Sequence, residues 1–113
     1  MDKIMIVEGL TDKKEIKKIL MEHVTIICTH GTLGIEELDE MIETYDLDHR
    51  DVYIFVDQDD SGEMIRKQLQ HELPNAKHLY VSGQYREVAT TPAHILATEL
   101  LSKGFKVNPF FLL

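Results

Sequence analysis

The sequence contains no tryptophan and a single cysteine, with only three prolines and six glycines in 113 residues. A lone thiol excludes an internal disulfide, so the fold must rest on its core, and Cys28 inside an apolar run suits a reducing cytosol. The six histidines have no spacing typical of a zinc site. No apolar run approaches the ~20 residues of a membrane span. Met1-Asp2-Lys3 leads into a segment too short for a signal peptide, so a cytoplasmic protein without a membrane partner is expected. Basic residues are also in deficit: 12 Lys and Arg against 20 Asp and Glu leave a net charge of −8. Such a balance excludes a protein that holds nucleic acid by bulk electrostatics alone. A polyanionic partner would need a local basic patch or a bound cation.

What is present describes one globular domain over residues 1–113, long enough to bury a core. Ile4-Met5-Ile6-Val7 reads as a strand buried on both faces, ended by Glu8-Gly9. Thr11 or Asp12 then caps a helix expected to run to about His23, with Asp12 and Glu15 at capping-box spacing and Ile16, Ile19 and Leu20 inward. Val24 to Cys28 repeats the strand signal, and Thr29-His30-Gly31-Thr32 is the loop behind it. Ile35, Leu38, Ile42 and Tyr45 mark the inner stripe of a second helix whose outer face is acidic. The third strand, Val52 to Val56, is followed by a helix opened by Asp60 and Glu63 and closed near Glu72, before Pro74. A weaker strand over His78 to Val81 precedes the loop Ser82 to Glu87. Thr91, Pro92 and Gly104 bracket a last helix. The apolar tail from Phe105 is expected to add an edge strand or cover an edge of the sheet, with Phe110 to Leu113 as an alternative subunit contact.

Strand alternating with helix predicts an α/β fold, a compact parallel sheet of about four strands with helices on both faces. In such sheets the loops that follow strands emerge at one edge, where ligands bind. Glu8, Thr29-His30-Gly31, Asp57-Gln58-Asp59 and Ser82-Gly83 are therefore expected to share that edge. Asp57 and Asp59 lie two apart on extended backbone and aim at one point. Converging carboxylates repel unless a cation sits between them, and an all-oxygen site suits Mg2+, with Mn2+ as a substitute. Glu8 is then a third ligand or a general acid or base for phosphoryl transfer. Gly9 and Gly62 permit close backbone approach, and the helix start near Asp60-Ser61 offers amides to a phosphate.

Asp57-Asp59-Ser61-Gly62 also opens like a calcium loop, but Gln68 stands at its twelfth position and a strand precedes it where a helix should be. A receiver domain would need an acidic pair after the first strand and a well-placed lysine after a fifth. Only Glu8 and Lys106 are available.

The strand end Ile6-Val7-Glu8-Gly9 with Thr11-Asp12, and the later Asp57-x-Asp59-x-x-Gly62-Glu63-x-Ile65-Arg66, closely resemble the TOPRIM domain. That domain is shared by DnaG-type primases, topoisomerases, OLD-family nucleases, RecR repair proteins and the ribonuclease that matures 5S ribosomal RNA. The likeness extends over nearly the whole chain, and most to the small stand-alone members. It implies a Rossmann-like sheet, Mg2+ at the aspartate pair, and nuclease-like phosphodiester chemistry assisted by Glu8. Leu10 stands where members often carry a lysine, and without the added domains of the larger members neither primer synthesis nor strand passage is expected. The alternative is a non-catalytic, metal-binding adaptor in a repair or RNA-processing complex. Candidate phosphate or substrate contacts are Gly9, His30, Gly31, Gly62 and Arg86, with Glu87 as a second-metal candidate and Arg66 as a surface ion-pair partner. Nucleic acid is the expected partner, bound weakly by so acidic a surface, with a protein partner or homodimer to assist.

Overall fold

The computed structural model describes residues 2–113. Four parallel strands, β1 (Lys3–Val7), β2 (Val24–Cys28), β3 (Val52–Phe55) and β4 (Lys77–Leu79), lie in the order β2-β1-β3-β4. They are joined by α1 (Leu10–Ile19), α2 (Ile35–Thr44) and α3 (Asp60–Glu72), and β4 is followed by α4 (Ala93–Ser102). Because side chains alternate along a strand, β1 and β3 divide the core in two. Met5, Val7, Tyr53 and Phe55 join Ile16, Ile19, Leu96 and Leu100, under α1 and α4. Ile4, Ile6, Ile54 and Val56 join Leu38, Met41, Ile65 and Leu69, under α2 and α3. Unbroken apolar runs are what a strand covered on both faces requires.

Strand order places the site. The chain leaves β1 toward β2 on one side, then crosses back to place β3 on the other side of β1. The crevice where those connections diverge, beyond the ends of β1 and β3, is where open α/β sheets bind ligands. Glu8 follows one of these strands, and Asp57 lies two residues beyond the other.

Several local expectations give way to tertiary contacts. Helix α1 starts two residues early, with Gly9 as its cap, and the Asp12 carboxylate accepts the Gly9 N–H at 3.0 Å, so Asp12 closes the helix start from inside. It also stops at Ile19, short of His23, because Leu20 forms an antiparallel bridge to Val107. The Met21 N–H donates to the Lys106 carbonyl and the Asn108 N–H to that of Ile19. The tail thus covers the α1–β2 connection, buries Phe105 edge-on against Tyr53, and ends in a 3-10 turn over Pro109–Leu112. Ile35, expected inward, is 80% exposed, and Met41 takes its place in the core. Pro92 caps α4, while the buried Thr91 turns its hydroxyl to the Glu87 carbonyl.

Arg66 is the largest departure, since it is buried where a surface ion-pair partner was expected. Its Nη2 donates to the Leu79 carbonyl at 2.9 Å and reaches that of Val56 at 3.5 Å. Nη1 meets His78 Nδ1 at 2.8 Å, and the guanidinium lies over the Tyr80 ring. It therefore ties the ends of β3 and β4 to α3, one residue before Asp57. Burial lowers both its pKa and that of His78, and the cation further disfavours a proton on His78. Arg66→Met is expected to strand the Leu79 carbonyl and lower stability by about 2 kcal/mol in urea unfolding, whereas a surface ion pair would leave the midpoint nearly unmoved.

Candidate metal centre

Three side chains meet in the crevice. Glu8, Asp57 and Asp59, all half-buried, bring one carboxylate oxygen each to within 4.8 Å of one another. Each is held by the backbone. The Asp57 N–H donates to Glu8 Oε1 at 3.2 Å, the Val88 N–H to Asp57 Oδ1 at 2.8 Å, and the Gly62 N–H to Asp59 Oδ1 at 2.8 Å. Asp59 is thus the cap of α3, and Asp60 is its first residue, the reverse of the spacing-based expectation.

Gly62 explains the choice. A Cβ there would lie 1.9 Å from the Asp57 carbonyl oxygen and 2.7 Å from its carbon. Only glycine lets the first turn of α3 rest on the end of β3, and that contact fixes the helix register that makes Asp59 the cap.

The electrostatics favour a cation. Burial is the main cause raising the Glu8 pKa, opposed by the Asp57 N–H and reinforced by Asp57, Asp59 and Asp12. Asp57 is raised by burial first, against the Val88 N–H, and then by Asp12, Asp59 and Glu87. Among the described residues no lysine or arginine forms an ion pair with any of the three. One oxygen of each is occupied by an N–H, leaving Glu8 Oε2, Asp57 Oδ2 and Asp59 Oδ2 for another partner. A cluster of hard oxygen donors, unneutralised and set on rigid backbone, fits a divalent cation.

The remaining sequence candidates take lesser places. Gly9 and Gly31 lie in the loops behind β1 and β2, with Gly31 at φ +107°. His30 is exposed at φ +55°, and its N–H donates to the Glu8 carbonyl at 2.7 Å. Arg86, also left-handed at φ +63°, has an exposed side chain, and its carbonyl accepts the Gln58 N–H at 2.6 Å. Its backbone, and not its charge, steadies the loop of the aspartates. Glu87 is exposed and outside the three-carboxylate group. The residue that pattern reading missed is Val88, whose amide orients Asp57, while Asp12, expected as a helix cap, is buried beside the site with a pKa raised first by desolvation. Val88 carries no signal in sequence, because any residue but proline supplies an N–H.

Comparison with known proteins brings these features together. Residues 3–88 match the family model described as the Toprim domain. The chain is 47% identical over 113 residues to the uncharacterized protein YusF of Bacillus subtilis (strain 168), an alignment spanning 99% of this chain and 75% of that protein. It is 33% identical over 79 residues to ribonuclease M5 1 of Ligilactobacillus salivarius (strain UCC118), across 70% of this chain. That alignment spans only 41% of the ribonuclease. A solved small TOPRIM domain protein from Bacillus stearothermophilus superposes with a TM-score of 0.93 at 40% identity, covering 100% of this chain and 94% of that one.

Proposed function

The chain belongs to the Toprim domain family, and from that premise we propose that it holds Mg2+, or Mn2+ in its place, among Glu8, Asp57 and Asp59 for nuclease-like phosphodiester chemistry on nucleic acid. The observation that carries this reading is the convergence of three carboxylates, each with a free oxygen, where no lysine or arginine among the described residues neutralises them. A bound divalent ion supplies positive charge against a phosphate oxygen and so favours in-line displacement. The protein's own part follows from its geometry. Asp57 and Asp59, fixed by the Val88 and Gly62 amides, hold the ion in place. Glu8 sits on the same crevice, where burial first and the neighbouring carboxylates next raise its pKa above the ordinary carboxylate value, and its place there suits a group that takes or gives a proton at the attacking or leaving oxygen. The first amides of α3, at Asp60 and Ser61, lack intrahelical acceptors and face the same end of the sheet, where a phosphate is favoured.

The ribonuclease M5 relative supports nucleic acid as the substrate class. The net charge of −8 argues that the polynucleotide is held weakly by this chain alone and presented by a partner protein or second subunit. That same charge favours the second reading, an adaptor that binds metal and does not cleave.

Glu8→Gln separates the two. It is expected to lower Mn2+-dependent cleavage of short RNA and DNA oligonucleotides by about 10²-fold or more, with calorimetric Mn2+ affinity reduced far less. Metal uptake without turnover by the parent protein on any oligonucleotide would select the adaptor, and no uptake at all would end both readings.

A further inference from the structure

The two edges of the sheet are treated differently. β4 is three residues long, carries Lys77 paired to Asp51, and is followed by Tyr80. It is short and charged, as edges that must not pair usually are. β2 at the other edge is five residues, Val24-Thr25-Ile26-Ile27-Cys28, with no charge and no proline. Among the described residues, its outer backbone N–H and C=O groups face no strand.

A trough runs the length of that edge. Cavities of about 240, 290 and 350 Å³ succeed one another along it and share β2 as their floor. One wall is α1 and the turn after it, which present Lys13, Lys17 and His23, together with Glu22, whose charge is paired to Lys3. The other is α2 and its end, which present Glu37, Glu40 and Tyr45. The walls are thus of opposite charge on opposite faces of the sheet. An added strand sends alternate side chains to those two faces.

We propose that the β2 edge receives an extended segment of a partner protein as a fifth strand, with acidic side chains toward α1 alternating with basic ones toward α2. Main-chain hydrogen bonds to β2 supply the attachment and the charged walls set its register. A second copy of this chain fits poorly. Antiparallel pairing of β2 with itself across a two-fold axis would set α1 beside α1 and α2 beside α2, lysine against lysine and glutamate against glutamate. The trough ends at His30, whose N–H meets the Glu8 carbonyl, but none of the three carboxylates lines it, so this inference does not depend on the metal.

The test uses a capped peptide, Glu-Lys-Val-Leu-Glu-Lys, titrated into isotopically labelled protein and followed by amide chemical shifts. Shifts are expected at β2 and at the facing turns of α1 and α2. Methylating alternate peptide nitrogens along the edge that meets β2, or placing Lys17→Glu in the protein, should each weaken binding by about tenfold. The scrambled peptide Glu-Glu-Val-Leu-Lys-Lys, of equal composition without alternation, should bind more weakly than the parent. The proposal is overturned by absence of shifts at millimolar peptide, by shifts confined elsewhere, or by equal binding of the scrambled or methylated peptide. It is also overturned by a concentration-dependent doubling of mass in sedimentation that Thr25→Lys abolishes, since that assigns the edge to a second copy.

Discussion

Gly62→Ala is expected to destabilise the protein by on the order of 3 kcal/mol, lowering the melting temperature by roughly 15 °C, although alanine is the better helix former. Two effects oppose each other at this position. Inside a helix, glycine costs about 1 kcal/mol relative to alanine, and Gly62 lies in the first turn of α3. Against that stands a Cβ placed 1.9 Å from the Asp57 carbonyl oxygen and 3.2 Å from its Cα. These are backbone atoms at the end of a central strand, not the tip of a side chain that swings aside, so α3 or the Asp57 peptide must move. Steric cost exceeds helix propensity, and the site moves with it. The Gly62 N–H is the donor that holds Asp59, and Asp57 is the residue struck, so divalent-ion affinity should fall together with stability. Gly83→Ala is the matched control. No atom lies within 4 Å of its added Cβ, and its change should stay within about 0.5 kcal/mol. Thermal unfolding of the two variants decides the matter, and a Gly62→Ala protein as stable as its parent would mean that α3 does not rest on β3 as described.

The same glycine shows where the sequence is legible and where it is not. Asp59 with Gly62 and Asp60 with Glu63 are both acceptable cap spacings, and local rules favour the second. What selects Asp59 is the fit of Gly62 on the Asp57 carbonyl, a contact between elements that no window of sequence contains. By contrast Glu8, Asp57 and Asp59 are readable as neighbours. Their meeting follows from topology: parallel strands send their trailing loops to one edge, and the pattern of apolar runs already implies parallel strands. Arg66 misleads for an opposite reason. A charged residue on a helix is normally solvated, and only the convergence of three strand-end groups, the Val56 and Leu79 carbonyls and His78, gives the two Nη atoms of the buried guanidinium their partners, while Nε has none. Ile35 misleads because periodicity fixes an apolar stripe but not where the helix leaves the sheet. At the start of α2 it is Leu33, just ahead of the helix, that packs against the core, and Ile35 is exposed.

Asp57→Asn is expected to abolish stabilisation by Mg2+ while leaving the metal-free protein at least as stable as its parent near neutral pH. Val88 donates to Asp57 Oδ1, an oxygen that asparagine keeps, so the loop should hold its shape. The removed charge is one of three that repel across less than 4.8 Å. For the parent, ion at about a hundred times its dissociation constant adds about 2.7 kcal/mol to unfolding, and the variant should gain close to none of it. The pH dependence follows by linkage. Glu8, Asp57 and Asp12 have folded pKa values above their ordinary carboxylate values, so between the two the folded state binds more protons than the unfolded one. Stability from these groups is therefore greatest below the unfolded pKa and declines as pH rises through the folded pKa. Metal reverses the sign, because it binds the ionised carboxylates and is displaced by protons. Denaturant unfolding from about pH 4 to pH 8, with and without Mg2+, should show two curves that diverge as pH rises, and in Asp57→Asn they should coincide. Asp59→Asn should behave likewise, since it keeps the cap to Gly62, whereas Asp59→Ala should lose a further ~1 kcal/mol of helix capping. Curves for the parent protein that coincide at every pH would show that the three carboxylates hold no ion.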